Sequence, residues 1–341
     1  MIKVNVYPGD IRLIEIRPSP DFIVTLCSFG ASIFDIYLPD KNGKMTAVTA
    51  RPESLQEFCT SPKYFGKSVG RVIGRIPYGH LDFAGQRYQL STNEGDTTLH
   101  GGKKGFSYQN FHSVINEYER YIEVTFTKKM DHLEDSFPGD LEMEVLYRIW
   151  KEDFQIDLIY RGRTETKTVF NPSTHVYFNL NSCHRDDVLN HVLMIKADQV
   201  GRLDEQLRIN GFEQVNQVHD FRKPKAIGQD VNADELQKHR AYGYDHTYVL
   251  NKEKRAFALA TTLFSPLSGR TLAIYTDLPA LNFYGGNYPD LSLKMKGSSS
   301  LTRYQALALE PQLFPRDVTG WTLTKESPYE ARITFTFTVK R

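Results

Sequence analysis

The sequence predicts an all-β protein built as one large antiparallel β-sandwich. Three observations carry this prediction. Apolar residues recur with period two along most of the chain, the pattern of a strand with one face in a core and one toward solvent. Turn-forming clusters punctuate these runs at short spacing. Helical periodicity is scarce, and no strand–helix–strand alternation recurs, which disfavours parallel α/β folds.

Taken in order, the elements support that reading. Asp40 to Lys44 reads as a hairpin with Asn42-Gly43 at its tip. "YIEVTFTKK" from Tyr121, "LEMEVLYRIW" from Leu141 and "FQIDLIYRGR" from Phe154 alternate as strands, separated by the turn-rich links "SFPGD" and "KEDF". "NPSTHVYFNL", Asn171 to Leu180, reads as a half-buried strand with Val176, Phe178 and Leu180 on its apolar face. The best helical candidate is short, Asn232 to Arg240, with Asn232 able to cap it. At the C-terminus "RITFTFTVKR" sets Ile333, Phe335, Phe337 and Val339 on one face. With no fixed-period repeat and no low-complexity linker, residues 1–341 are expected to form a single domain.

Composition narrows the function classes. Lys+Arg is 42 against Asp+Glu 41, a net charge of +1, so neither a nucleic-acid nor an anionic-membrane partner is expected. The three cysteines, Cys27, Cys59 and Cys183, are widely spaced and form no C-x-x-C, which argues against a disulfide framework or a thiolate zinc site. The N-terminus has no uninterrupted apolar segment and no 18-residue apolar run follows, so a soluble, cytoplasmic protein is expected, as monomer or homodimer.

Two motif matches fail on context. "GKSVG" fits G-x-S-x-G with Ser68 as nucleophile, and "HGG" at His100 to Gly102 resembles an oxyanion-hole loop. An esterase, however, places that loop before the nucleophile and a helix after it, and neither holds here. "SCHRDDVLNH" gathers Cys183, His184, Asp186, Asp187 and His191 without metal-ligand spacing, and is read as a solvated loop. What remains is dispersed. Arg75 lies in "GRVIGRIPYG", His100 in "NEGDTTLHGG", and His175 in the Asn171 to Leu180 strand. Asp245 and His246 lie in "YGYDHTYVL", and Glu310 ends "YQALALE" on the same strand face as Ala306 and Ala308. An unpaired carboxylate on a small-residue strand face is costly in a pure core. Together these groups make a general acid/base set with no nucleophile and no metal.

At these residues the chain resembles the galactose mutarotase (aldose 1-epimerase) family. "GRVIGRIPYGHLDFAGQRYQLSTNEGDTTLHGG", "NPSTHVYFNL", "GYDHTYVL", "LNFYGGNY" and "LALEPQLFP" are similar to that family's landmarks, in order, from about Gly70 to Pro315. The resemblance implies a β-sandwich of the galactose mutarotase type and an isomerase that interconverts the α and β anomers of a free hexose such as galactose or glucose. It implies no cofactor and no metal. It makes Glu310 the general base and His175 the general acid; ring opening and closure then call for a carboxylate and an imidazolium on opposite sides of the C1–O5 unit. It implies that Arg75, His100 and Asp245 hold sugar hydroxyls and tune the site, and that Tyr284 with Asn282 belongs to a site-lining strand. Two departures stand out. Gly74 occupies a position where many relatives carry Asn, and Phe111 one where the family often has Trp. The alternatives are a hexose-6-phosphate epimerase, which wants an added Arg/Lys cluster, a non-catalytic sugar-binding sandwich, and a glycosidase pairing Asp245 with Glu310.

Overall fold

The computed structural model describes residues 1–181, 186–237 and 241–340. Three antiparallel sheets contain most of the strands. The largest has nine, in the order His112–Glu117, Tyr121–Met130, Leu141–Trp150, Gln155–Arg163, Tyr329–Val339, Arg270–Thr276, Ala258–Phe264, Val192–Ile195 and Lys225–Ala226. The C-terminal strand thus lies in the middle of this sheet. The second has six: Tyr177–Phe178, Leu307–Gln312, Ala280–Tyr284, Asp245–Leu250, Ala197–Leu203 and Ile209–Gln214. The third is a five-stranded meander from Ile2–Tyr7 to Met45–Ala47, in which the turn at Asn42-Gly43 joins the last two strands as expected.

Alternation explains how the sheets stack. Val124, Val145, Leu158, Ile274 and Ile333 of the nine-stranded sheet meet Leu281, Phe283, Leu307 and Leu309 of the six-stranded sheet in one core, which Ile14, Val24 and Ile36 of the meander also join. Phe178 packs on Phe335 and Phe337 across the sheets, with ring centroids 5.7 and 6.5 Å apart. This is the face-to-face packing of a sandwich. Among the described residues no helix is long and apolar enough to cross a membrane.

Three expectations need correction. Residues 171–180 are buried throughout rather than on one face, and they form only two-residue strands, Ser173–Thr174 and Tyr177–Phe178, with Asn171 in an isolated bridge to Val72. On the second face His175 and Tyr177 line a cavity described below, while Ser173 and Asn179 bond to backbone carbonyls of neighbouring segments. Of the expected helix from Asn232 to Arg240, the structure shows Asp234–Gln237, and residues 238–240 lie outside the described part. A second helix, Leu55–Thr60, was not anticipated, although its signal is in the sequence. Ser54 caps it and Glu57 completes a reciprocal capping box.

Candidate active site

The site is a lattice of cross-strand neighbours on the face of the six-stranded sheet that points away from the core. Because strand side chains alternate, Leu307, Leu309, Leu281 and Phe283 go to the core, and Ala308, Glu310, Asn282 and Tyr284 go to the other side. The register then fixes who stands beside whom. Glu310 pairs with Asn282, Asn282 with Thr247, and Tyr284 with Asp245. Tyr177 pairs with Ala308 in antiparallel sense, so two residues further along His175 falls opposite Glu310. The backbone of His175 is itself held between Gly66 and Lys67: its N–H donates to the Lys67 carbonyl and its carbonyl accepts from the Gly66 N–H, each at 2.9 Å.

A second group of residues closes over this face. Arg75 and Leu99 pair in a two-residue ladder, which carries Arg75 and His100 into the same wall. The chain then turns at Gly101, where φ is +90° and a Cβ would lie 1.7 Å from the Gly70 carbonyl oxygen, so only glycine fits. The result is a cavity of about 470 Å³, within the range of small-molecule sites. Arg75, His100, His175, Asp245, Asn282, Tyr284 and Glu310 all line it. Gly74 lines it too, whereas Phe111 is a core residue of the sandwich.

At its centre His175 Nε2 lies 3.2 Å from Glu310 Oε1, both side chains almost fully buried. This corrects the expectation of groups on opposite sides of the sugar's C1–O5 unit. Cross-strand register sets the two side by side, and at 3.2 Å they are in direct contact. Burial holds the His175 imidazole down to about 3. Burial also pushes the Glu310 carboxyl well above the usual range; Asp245 adds to the rise and Arg75 opposes it. Both directions favour a neutral pair sharing one proton. Tyr177 stacks on the His175 ring at 4.8 Å, and Tyr284 meets it edge-on at 6.2 Å.

The remaining groups are ordered by one another. Arg75 donates twice to Glu94, at 2.6 and 2.9 Å, and once to Asp245 Oδ2 at 3.3 Å. Asn282 Nδ2 donates to Asp245 Oδ1 at 3.2 Å and Asn282 Oδ1 accepts from Thr247 at 2.9 Å. His100 Nδ1 accepts from the Gly74 N–H at 3.2 Å, so its neutral ring carries the proton on Nε2 and is a donor there. Burial, then the neighbouring His175 and Arg75, keep His100 well below its ordinary titration range. The donor atoms of His100, His175 and Glu310 lie within 4.8 Å of one another, and among the described residues these are the ones whose types and spacing could ligate a cation such as zinc.

Several contributors were missed in the sequence. Glu94 sits in a segment quoted for His100, but nothing local says that it braces Arg75. Tyr64 meets the His100 ring edge-on at 4.8 Å, and its hydroxyl accepts from Asn93 at 3.0 Å. Lys67 is fully buried behind the site, with Nζ 5.2 to 5.3 Å from the ring centres of Phe29, Phe58 and Tyr108, and donates to the Cys59 carbonyl at 3.2 Å. Other motifs prove structural. Ser68 is buried and bonded to the Ala31 carbonyl and the Tyr160 hydroxyl, with no helix after it, which removes the esterase reading. Of the Cys/His loop, Cys183 and His184 lie outside the described residues, and His191 is a buried acceptor for the Leu180 N–H at 3.0 Å.

Known proteins resemble this chain over nearly its whole length. The profile of the family described as aldose 1-epimerase matches residues 12–334. The aldose 1-epimerase of Escherichia coli K12 is 32% identical over 309 residues, 89% of this chain and 86% of that protein. The galactose mutarotase of Bos taurus is 30% identical over 313 residues, 90% of this chain and 86% of the relative. Among solved structures, an aldose epimerase homologue from C. elegans superposes with a TM-score of 0.85 at 27% identity, covering 96% of this chain and 99% of that one. A galactose 1-epimerase from Lactobacillus acidophilus NCFM, at 24% identity and a TM-score of 0.86 over both whole chains, shows the same fold. Matched in sequence over nearly its whole length and in fold, the chain belongs to the aldose 1-epimerase family, a family of isomerases.

Proposed function

We propose that the protein interconverts the α and β anomers of a free hexose, galactose or glucose, by ring opening and closure. The observation that carries this reading is the direct 3.2 Å contact between His175 and Glu310 inside the cavity. The sugar's O1 and O5 share one carbon, so a paired acid and base standing side by side can address both from the same direction. The pair needs a single proton between them. Its transfer from Glu310 to His175 creates a carboxylate and an imidazolium without changing net charge, and their mutual attraction at this distance offsets part of the cost of burying them.

In that form Glu310 takes the proton of the C1 hydroxyl while His175 delivers one to O5. The C1–O5 bond breaks, an aldehyde forms, and rotation about C1–C2 presents its other face. Closure reverses both transfers and returns the pair to its starting state. No electrons leave the sugar, so the steps need no redox partner. Arg75, Asp245, Asn282, Tyr284 and the Nε2–H of His100 are the groups that would hold the remaining hydroxyls.

The chief competing substrate is a hexose 6-phosphate. Lys63, Lys103, Arg208 and Arg316 line the cavity in addition to Arg75, more cations than the sequence motifs indicated. Arg75 is already matched by Glu94 and Asp245, and Arg208 by Asp96 at 2.8 Å. Arg316 donates to the Ile209 carbonyl at 3.0 Å. The prior commitment of these three arginines supports the neutral sugar, since a dianion wants several converging, uncommitted donors. Polarimetry on freshly dissolved α-D-galactose and on α-D-glucose 6-phosphate, at equal concentration, tests the reading and the choice together.

A further inference from the structure

One buried polar atom in the cavity has no task in the chemistry above. Gln312 follows Glu310 by two residues on the same strand and therefore on the same face. Its side chain lines the cavity, the residue is only 3% exposed, and its Oε1 has no hydrogen-bond partner among the described residues. Buried polar side chains are almost always partnered, so an orphan acceptor calls for an explanation. Its cross-strand neighbours offer it no donor. Gln312 pairs with Ala280, and on its other side the register of Tyr177–Phe178 carried back along the chain sets Ser173 opposite it. The Ser173 hydroxyl donates to the Pro311 carbonyl at 2.7 Å and so turns away from Gln312. Two small neighbours leave the carboxamide room to reach into the cavity.

We infer that Gln312 is a substrate-binding residue, its Oε1 accepting a hydrogen bond from a sugar hydroxyl other than the one on C1. The inference rests on the epimerase reading for the identity of the ligand. The chemistry fits. A carboxamide oxygen is a neutral acceptor, matched to a hydroxyl and not to a phosphate or carboxylate, which offer no donor when ionised. Glu310 and Gln312 are spaced by two strand residues, roughly 7 Å, so a sugar whose C1 region sits at Glu310 extends its far side past Gln312. A bond to a non-reacting hydroxyl is made equally in ground and transition state, so its loss appears in KM and leaves kcat unchanged.

The test is a cycle between protein and substrate. Gln312→Leu removes the acceptor at similar size, and its melting temperature should equal or exceed wild type, because an unpaired buried acceptor is gone. KM for galactose should rise about tenfold, the effect of one neutral hydrogen bond, with kcat retained. Across 2-, 3-, 4- and 6-deoxygalactose, wild type should lose about tenfold in kcat/KM with one analogue more than the substitution does, and that analogue identifies the hydroxyl. Gln312→Glu, which keeps the acceptor, should restore part of the loss. Unchanged KM in Gln312→Leu, or equal effects of the substitution on all four analogues and galactose, overturns the inference. Wild type that leaves galactose mutarotation unaccelerated refutes the functional reading instead. The same cycle read as sugar binding by calorimetry then decides on Gln312, with absence of coupling again overturning it.

Discussion

Replacing the acid and the base together should hardly lower the rate below the worse single replacement. Glu310→Gln keeps the shape of the side chain and can still bond to His175, while His175→Asn keeps a polar group near the Nδ1 side of the ring. Both positions are buried, and the neutral carboxamides of Gln and Asn introduce no new charge there. A positioned acid or base contributes roughly 10²- to 10⁴-fold, so each single variant should lose at least about 10²-fold in kcat with little change in sugar affinity. Independent groups would give a double variant down by the product, about 10⁴-fold or more. The structure argues otherwise. With Nε2 and Oε1 in contact at 3.2 Å and one proton shared between them, removing either partner disables the same transfer. The coupling should then be about 3 kcal/mol or larger, the logarithm of the second factor of 10² that fails to appear. The assay is saturating-substrate polarimetry, with melting curves confirming that all four proteins fold. A double loss equal to the sum of the single losses in free energy refutes the concerted pair, and near-normal turnover of Glu310→Gln removes that residue from the mechanism.

Other expectations follow from the same geometry. Burial lowers the Lys67 ammonium from 10.5 to about 8, so the folded state holds this proton more weakly than the unfolded chain does. The cost of burying the charge, about 3 kcal/mol, is therefore full below pH 8 and is relieved as pH rises from about 8 to 10.5. The stability difference between Lys67→Met and wild type should accordingly shift by that amount in favour of wild type between pH 7 and 10.5; a difference that is constant with pH contradicts it. Dialysis against EDTA should leave activity intact, because the proposed transfers use only side-chain protons; activity lost and then restored by a divalent ion would hand the His100, His175 and Glu310 donors to a metal. Galactose or glucose should be turned over far better than glucose 6-phosphate. A preference for the phosphate, abolished by Lys103→Ala with Lys104→Ala, would reassign the substrate class.

The faces of the site strands were legible in the sequence, and the distances were not. In "YQALALE" the alternation alone assigns Ala306, Ala308 and Glu310 to one face, and in the structure the two alanines pack with the cavity residues Tyr177 and Tyr284 while Glu310 lines the cavity. The same rule separates Asp245 and Asn282 from their core-facing neighbours. Period two, however, says nothing about which strand lies alongside. The contact of His175 with Glu310 follows from the pairing of Tyr177 with Ala308, about 130 residues apart in the chain. Without that register the acid and base were set on opposite sides of the sugar. The bracing of Arg75 by Glu94 and the three-ring cage of Lys67 escaped for the same reason, since each joins segments that only tertiary packing brings together. The helix at Leu55 is a different case. Ser54 and Glu57 announce it, but six residues are too few to show a helical period.

The central claim is that this cavity opens and recloses the ring of a free hexose through His175 and Glu310. Its most direct test is the optical rotation of freshly dissolved α-D-galactose, followed with catalytic amounts of wild-type protein, of Glu310→Gln, and of buffer alone. The account predicts that wild type brings the rotation to its equilibrium value far faster than buffer, and that Glu310→Gln falls back by at least about 10²-fold toward the buffer rate. Identical relaxation with wild type and with buffer, or equal acceleration by wild type and Glu310→Gln, would contradict it.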